Sequence, residues 1–285
     1  MTTALFTRTS PERRTGRPRD HLTLGAGCVV ALFVLLAVLG PLLAPHDPNA
    51  VDPLNVNAGP SATHLLGTDD TGRDLLSRLI AGTRASLAAP AVVIAVSTTL
   101  GTLLALAAAW FGGRPDRFVS GALDIVFGFP GLIMAVLVAA VFGAGLTAPI
   151  IALSIAYLPL ITRVVRSAAV KERNLPYVSA LQLLGAPTAR IWLRHLLPNL
   201  LPLVLVQATI GFGYALLDVA ALSFLGLGSQ PPDPEWGLMV ANGAPSILAG
   251  QPQQSLYAGI AILIVVVAFN LLGTGLSRRL LGENA

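Results

Sequence analysis

Charged residues are scarce in this chain. Of its 285 residues, Asp, Glu, Lys and Arg make up only 11%, whereas hydrophobic residues make up 54%. The mean hydropathy is +0.74. Soluble globular domains carry about 25% charged residues. This composition excludes an ordinary soluble protein and predicts a chain that crosses a membrane several times.

Lysine and cysteine each occur once. Lys171 follows Val170 and precedes Glu172, whereas the Walker A loop of an ATPase needs Gly-x-x-x-x-Gly-Lys followed by Ser or Thr. The chain therefore cannot hydrolyse ATP by that route. The single cysteine, Cys28, excludes a disulfide or a cysteine metal site within one chain.

Motifs of hydrolytic enzymes are missing as well. The sequence has no Gly-x-Ser-x-Gly elbow and no His-Glu-x-x-His helix. Its four histidines are scattered along the chain: His21, His46, His64 and His195. We therefore predict that the protein is not an enzyme, with no catalytic residue, no metal site and no directly bound cofactor.

Long apolar runs predict the fold. A membrane span needs about 20 apolar residues, and the sequence has five such runs without charge: 22–44, 85–113, 125–162, 196–217 and 251–276. The third run has 38 residues, enough for two spans, with a turn at Gly143, Gly145 and Pro149. Pro130 and Gly131 should kink the first of these two spans. The prediction is an all-α membrane protein with six transmembrane helices.

The basic residues predict the orientation. If the N-terminus is cytoplasmic, 15 of the 18 Lys and Arg residues lie inside, and only Arg73, Arg78 and Arg84 lie outside. Both termini are then cytoplasmic. This topology accounts for the isoelectric point of about 9.8, and no aromatic-rich basic surface accompanies it, so we exclude a nucleic-acid partner. Four regions follow: a disordered basic cytoplasmic tail (1–22), a first anchor helix (23–43), an external segment with a surface helix (44–84), and a core of five helices (85–280).

A polar interval follows the third apolar run and reaches into the start of the fourth, at 163–199. A short helix is predicted from Pro176, Gly185 can end it in a left-handed conformation, and Pro187 can begin a second helix. The first helix would present a small, partly apolar surface. From periodicity alone, a cytoplasmic loop whose apolar residues lie on the membrane surface fits equally well.

A second polar segment, 66–87, contains clustered acidic residues. Thr71 and Asp74 have the spacing of a capping box, and the apolar residues after them predict a short helix on the outer membrane surface. Asp69, Asp70 and Asp74 also lie near His64, which is compatible with a metal or carboxylate site. Acidic residues at a helix start are usually caps, so we favour capping and a structural pairing of Arg73.

Both segments resemble one family, the permeases of ABC importers. The external string Gly-Thr-Asp-x-x-Gly-Arg-Asp-x-x-Ser-Arg is similar to the C-type subunit of the dipeptide, oligopeptide and nickel permeases, and 222–237 resembles the dipeptide branch. The residues that carry this string are Gly67, Thr68, Asp69, Gly72, Arg73, Asp74, Ser77 and Arg78.

The interval 163–199 resembles the family's ATPase-coupling loop, a Glu-Ala-Ala triplet followed by Gly and by Ile-x-Leu-Pro. Ser179 stands at the Glu position and His195 at the Ile position. The residues that carry this second resemblance are Tyr177, Val178, Ser179, Ala180, Leu181, Gly185, His195, Leu197 and Pro198.

The resemblance implies a type I importer architecture in the bacterial cytoplasmic membrane. This chain would form half of a translocation path, paired with a second homologous permease subunit. Two ATP-binding subunits would supply ATP hydrolysis, an extracytoplasmic substrate-binding protein would deliver the cargo, and the cargo would be a di- or oligopeptide. A nickel, metal-chelate or haem permease of the same family is the alternative.

Polar residues in the fifth predicted span are candidates for the path. Asp218, Gln207 and Tyr214 lie in an otherwise apolar helix, and a carboxylate at membrane depth is costly unless it faces protein or water. Asp218 could instead lie near the outer interface in a structural network. An autonomous transporter using Asp124 and Asp218 as ion sites is the further alternative, although the sequence shows no internal repeat of the kind such proteins have.

Overall fold

The computed structural model describes residues 20–282, and these are almost entirely helical. Thr68 and Asp74 form an isolated β-bridge, and no strand occurs within that range. In chain order the helices are α1 (Asp20–Leu43), α2 (Leu75–Phe111), α3 (Gly113–Phe127), α4 (Gly131–Phe142), α5 (Thr147–Arg173), α6 (Pro176–Leu183), α7 (Thr188–Ile191), a π-helical turn (Trp192–Leu196), α8 (Leu197–Phe224), α9 (Trp236–Leu248) and α10 (Gln253–Leu281).

Five helical segments are long and apolar enough to cross a membrane, and a bent pair can supply a sixth. The five are α1, α2, α5, α10 and the continuous segment Thr188–Phe224, while α3 and α4 meet at an angle of 84°. The bend falls at Pro130 and Gly131, as predicted. Gly143 and Gly145 both have positive φ and form the turn before α5, whereas Pro149, predicted in that turn, lies inside α5.

The first helix begins at Asp20, three residues before the predicted boundary. Residues 20–22 of the predicted disordered tail (1–22) are therefore helical, and the rest of that tail, 1–19, lies outside the described residues. The helix can begin about one turn earlier than predicted at little cost in free energy, because Asp20 and His21 do not break a helix.

The predicted separate surface helix of the external segment is wrong. Its residues, from Leu75 onwards, form the first turns of α2, which continues without interruption for 37 residues to Phe111. At 1.5 Å per residue α2 is about 55 Å long, so it extends well beyond the apolar thickness of a bilayer. Gly82 does not break the helix; it lies against the carbonyl of Pro234, where a Cβ atom would overlap with the oxygen.

A short helix, α9, begins at the end of the segment 222–237. Its first residue is Trp236, and it has 13 residues. The buried carboxylate of Glu235 caps it by accepting hydrogen bonds from the backbone N–H groups of Gly237 and Leu238, each at 2.9 Å. An acidic residue directly before an apolar stretch is the sequence feature that indicates this cap.

Small residues bring α2 and α5 into close contact. The hydroxyl of Ser97 donates to the carbonyl of Ser154 across the two helices at 3.0 Å, and Gly101 lies against Ile161 and Thr162. Close backbone approach through small residues is the usual way in which membrane helices associate. Neighbouring helices run up and down: Thr23 packs against Gly275 at one end of the bundle, and Gly40 against Ile80 at the other.

Candidate coupling surface and translocation path

The segment after α5 forms a bent helical element at one end of the bundle. Helix α6 ends at Gly185, whose φ of +74° is the left-handed conformation that the sequence predicted. The N–H of Gly185 donates to the carbonyl of Gln182 and the N–H of Ala186 to that of Leu181, each at 3.0 Å. These bonds satisfy the last carbonyls of α6 and fix the direction in which α7 begins.

One side of this element is anchored in the bundle and the other is exposed. Val178, Ile191 and Leu196 are fully or almost fully buried and belong to the same apolar core as α2, α5 and α8. By contrast, Leu183 is 89% exposed and Leu184 is 83% exposed. Two adjacent leucines this open to solvent form an apolar surface without a partner in the described part of the chain. We call Leu183, Leu184 and Gly185 the coupling tip.

Polar contacts attach this element to α5 and α8. Glu172, near the end of α5, accepts hydrogen bonds from the hydroxyl of Tyr177 at 2.7 Å and from the amide of Asn199 at 2.6 Å. Burial, together with the hydrogen bond to the Glu172 carboxylate, raises the pKa of Tyr177 to about 12. The ring of His195 packs at 6.3 Å from that of Tyr177. The start of α6 therefore moves with both neighbouring helices.

Aromatic contacts attach it to α2 as well. Arg173 donates to the carbonyl of Ala109 at 2.7 Å and lies over the ring of Trp110. Trp192, in the π-helical turn, meets Trp110 and Phe111 edge to face at 6.2 Å. Single π-helical turns are frequent at functional sites, and here the turn directs Trp192 towards the end of α2.

The nine residues predicted for the coupling loop divide by exposure. Val178 is buried, and Gly185 lies in the bend at the coupling tip. The other seven are half-buried or exposed on α6, on the π-helical turn or on the first turn of α8: Tyr177, Ser179, Ala180, Leu181, His195, Leu197 and Pro198. The structure thus brings the predicted residues into one element.

A cavity of about 430 Å³ lies at the bend between α3 and α4. Its walls are mainly aromatic and aliphatic, and its polar groups come from α5 and α8. The hydroxyl of Tyr157 donates to Oδ2 of Asp218 at 2.9 Å. The lining residues are Phe127, Phe129, Pro130, Gly131, Leu153, Ala156, Tyr157, Leu160, Tyr214, Leu217 and Asp218.

Two of the three predicted path residues line this cavity. Asp218 is half-buried and Tyr214 is 55% exposed, whereas Gln207 does not belong to the lining. Gln207 is seven residues from Tyr214, about two turns, so it lies on the same face of α8 but farther along the helix. Sequence reasoning missed Tyr157. A tyrosine within an apolar run was the available signal, but its partner is 61 residues away.

Asp124 has a different environment. It is 65% exposed at its side chain and forms an ion pair with Arg163 at 2.5 Å, while Arg163 also lies over the ring of Phe127. A neighbouring pair joins Arg166 to Asp116 through two hydrogen bonds. Asp124 therefore binds α3 to α5 and does not line the cavity that contains Asp218.

The external motif folds around a buried carboxylate. Asp69 is fully buried and accepts from the Nε of Arg73 at 2.7 Å, from the backbone N–H of Arg73 at 2.9 Å, and from Thr71. Burial opposes its ionisation, but these donors together hold the pKa of Asp69 below the ordinary value of Asp. Gly72 has a φ of +83° and lies against the backbone of Asp52, where a Cβ atom would overlap. The partner of Arg73, for which a structural pairing was predicted, is Asp69.

Arg78 connects three separate segments at the same end of the bundle. Its guanidinium is fully buried and donates to the carbonyl of Pro48 at 2.9 Å and, less closely, to those of Pro232 and Asp233. Its Nε lies 3.5 Å from Oδ2 of Asp69. Arg78 thereby holds the start of α2, the segment after α1 and the loop before α9 together.

The remaining motif residues shape the turn into α2. Asp74 caps α2 by accepting from the N–H and the hydroxyl of Ser77 at 2.8 and 2.7 Å. Thr68 accepts from the N–H of Ala58 at 2.8 Å, and Gly67 has a φ of +81°. The residues of the external motif therefore form one hydrogen-bonded structural unit.

Helices long and apolar enough to span a membrane, a mainly apolar cavity that contains Asp218, and an anchored element with an exposed apolar tip are typical of a transport permease. The chain belongs to the family of binding-protein-dependent transport system inner membrane components, which it matches over residues 97–281. Residues 19–60 match the N-terminal transmembrane domain of oligopeptide transport permease C. These matches confirm the resemblance predicted from the two motifs. The chain is a multi-pass, non-catalytic permease subunit of an ABC importer.

Curated relatives cover most of the chain. The glutathione transport system permease protein GsiD of Pectobacterium atrosepticum is 38% identical over 90% of this chain and 86% of its own length. The dipeptide transport system permease protein DppC of Alkalihalophilus pseudofirmus is 37% identical over 95% and 90%. The probable D,D-dipeptide transport system permease protein DdpC of Escherichia coli K12 is 39% identical over 93% and 88%.

A solved structure supports the fold. The inward-facing MetNI methionine ABC transporter aligns with a TM-score of 0.58 at 21% identity, covering 72% of this chain and 97% of the other chain. The all-α permease architecture predicted from the apolar runs is thereby confirmed.

Proposed function

We propose that this chain is one of two permease subunits that enclose a path for short peptides in an ATP-driven importer of the bacterial cytoplasmic membrane. The second subunit is a homologous permease, two ATP-binding subunits dock on the coupling loops, and an extracytoplasmic binding protein delivers the peptide. The observation that carries the proposal is the coupling tip, an exposed apolar surface anchored to three membrane helices.

Orientation follows from the positions of the basic residues. The end of the bundle with the coupling tip also carries Lys171, Arg190 and Arg194, and α10 ends with Arg278 and Arg279 at the end where it meets the start of α1. The positive-inside rule makes this end cytoplasmic. Both termini and the coupling tip then face the ATPases, while the Asp69 and Arg78 network faces the binding protein.

The relatives and the cavity favour a peptide as the cargo. Relatives named for glutathione and for dipeptides share 37–39% of their residues with this chain over nearly its whole length. The cavity beside Asp218 combines aromatic walls with one carboxylate and two tyrosine hydroxyls. A carboxylate can receive the amino terminus of a peptide by a charge-assisted hydrogen bond.

Copurification tests the assembly. The chain, tagged and extracted in mild detergent with its genomic neighbours coexpressed, should bring down a second permease and ATP-binding subunits. Leu184→Asp should weaken ATPase binding by about 30-fold, because a buried apolar anchor is worth about 2 kcal/mol at an interface. Leu54→Asp, at a residue 94% exposed and far along the chain from the coupling tip, is the matched control.

Uptake tests the cargo. Proteoliposomes holding the whole complex, its binding protein and ATP inside should accumulate a labelled dipeptide. Recovery of the chain without any ATPase, or equal ATPase recovery with Leu184→Asp and wild type, would overturn the docking assignment. An assembled complex that accumulates a metal chelate or haem but no peptide would overturn the choice of cargo alone.

A further inference from the structure

Two histidines that are far apart in the sequence meet at the start of α2. His46 follows the end of α1, and His64 lies in the loop that leads to the external motif. Their ring centroids are 5.1 Å apart. These two histidines are separated in the sequence, but the fold brings their rings together. Asp74, the cap of α2, lies beside both rings.

The ligand atoms of these three side chains converge. Nδ1 of His64 is 3.0 Å from Oδ1 of Asp74, and Nδ1 of His46 is 3.8 Å from Oδ2 of the same carboxylate. When one ligand atom is taken from each residue, the three atoms lie within 4.8 Å of one another. The 3.0 Å distance is a hydrogen bond, but 3.8 Å is too long for one. Capping of α2 alone leaves the position of the second imidazole unexplained.

The spacing suits coordination of one ion. Bonds from Zn²⁺ to imidazole nitrogen and carboxylate oxygen are about 2.0–2.2 Å, so ligands at tetrahedral angles lie about 3.4 Å apart. The distances of 3.0 and 3.8 Å, from the two histidines to different oxygens of Asp74, lie on either side of this value. Two imidazoles and one carboxylate, with a further position left for water, are a ligand set that first-row divalent metals accept.

The surroundings hold these ligands in place. The backbone N–H of His46 donates to the hydroxyl of Ser77 at 3.0 Å, and the same hydroxyl donates to Oδ2 of Asp74 at 2.7 Å. The N–H of His64 donates to Ser61 at 3.0 Å. These bonds fix the backbone of both histidines and the carboxylate of Asp74, as hydrogen bonds to ligating carboxylates do in metal sites.

The site is accessible from one side. The side chain of Asp74 is 3% exposed, that of His64 is 17% exposed and that of His46 is 44% exposed. A cleft of about 290 Å³ opens beside them, lined in part by Pro45, His46 and Asp74. An ion and its water ligand can enter there while the carboxylate remains largely shielded from solvent.

We propose that His46, His64 and Asp74 form a binding site for a first-row divalent metal ion such as Zn²⁺. The ion would join the segment after α1 and the loop before the external motif to the start of α2. This is a regulatory or structural site, separate from the cavity beside Asp218. The inference does not depend on the peptide cargo or on the ATPase partners.

Metal binding to the full chain tests this inference. The chain, purified with a tag that contains no histidine and stripped with a chelator, is titrated with Zn²⁺ by calorimetry. One ion per chain should bind, with His46→Ala and His64→Ala each weakening binding by at least 30-fold, because each removes one of three ligands. His21→Ala, at the start of α1 and the opposite end of the bundle, should bind as wild type does. Mg²⁺ should not compete, since it prefers oxygen ligands.

Co²⁺ gives an independent readout. The cobalt-loaded wild type should show the visible absorption bands of a four- or five-coordinate site, and Zn²⁺ should abolish them. Asp74 is left intact because it also caps α2. The inference is overturned by a wild type that shows no such bands, or by Zn²⁺ binding that the two histidine substitutions leave unchanged. If one variant fails to fold, the other variant and the wild-type spectrum still decide.

Discussion

Replacing Arg78 by alanine should destabilise the whole external end of the bundle. The guanidinium is fully buried and bridges the carbonyls of Pro48 and Pro232, which belong to segments 184 residues apart in the sequence. Without it these carbonyls lose their donor and Asp69 loses one of its two nearby cations.

The expected loss follows from these contacts. Only the bond to Pro48 has an ordinary length, and the bonds to Pro232 and Asp233 are 3.3 to 3.4 Å. Removing one partner from a buried charged pair costs about 3–5 kcal/mol, and Asp69 keeps Arg73, so we take the lower end, about 3 kcal/mol. For a chain of this size that corresponds to a fall in Tm of roughly 6–12 °C.

Thermal unfolding in detergent, followed by tryptophan fluorescence, measures this loss. Trp236 reports on the affected region directly, because its Nε1 donates to the carbonyl of Leu79 and its ring is buried. Arg84→Ala is the matched control: it removes the same charge from the same helix at an exposed position and should shift Tm by less than about 2 °C.

Arg78→Lys separates charge from geometry. An ammonium group keeps the charge but cannot donate in a planar fork to two separate carbonyls, so most of the loss should remain. Equal Tm values for wild type and Arg78→Ala would refute the role of Arg78 as a bridge. A full rescue by lysine would show that its charge near Asp69 matters and its hydrogen bonds do not.

Two further predictions concern the coupling tip and the cavity. Gly185→Val should leave membrane insertion intact but uncouple ATP hydrolysis from uptake, because a β-branched residue in a left-handed conformation costs at least about 1–2 kcal/mol. Gly185→Asn, in which asparagine tolerates that conformation, should retain transport. Normal uptake by the valine variant would contradict the coupling role. Asp218→Asn should lower peptide uptake by about 10-fold through the loss of a charge-assisted contact, measured in proteoliposomes, whereas Tyr157→Phe removes only the hydrogen bond to Asp218. Equal KM and rate for Asp218→Asn and wild type would mean that Asp218 is structural.

Local features of this protein could be predicted because their causes lie within a few neighbouring residues. Apolar runs of membrane length give the spans, since the bilayer core requires that length. Gly185 gives the bend after α6, because glycine adopts a positive φ without steric cost. Pro130 gives the break between α3 and α4 for a similarly local reason.

The uninterrupted course of α2 and the contacts between residues far apart in the sequence could not be predicted in this way. The capping spacing and the apolar residues after it predict a separate surface helix at the start of α2, but no residue there ends a helix. Likewise, Tyr157 meets Asp218 across 61 residues, and His46 meets His64 and Asp74 only after α1 and α2 pack. Periodicity indicates which face of a helix is buried but not which helix covers it.

The arrangement of α5 and α8 explains how the coupling tip could act on the cavity. On α5, Tyr157 and Glu172 are 15 residues apart, about 22 Å along the helix; on α8, Asn199 and Asp218 are 19 residues apart, about 28 Å. Glu172 and Asn199 share a hydrogen bond at the base of α6, and Tyr157 and Asp218 share one at the cavity. We propose that a displacement of α6 acts on both helices at one junction and reaches the cavity at the other. Pro159 lies two residues from Tyr157 within α5, and a proline removes one helical hydrogen bond, so α5 should bend most readily beside the cavity.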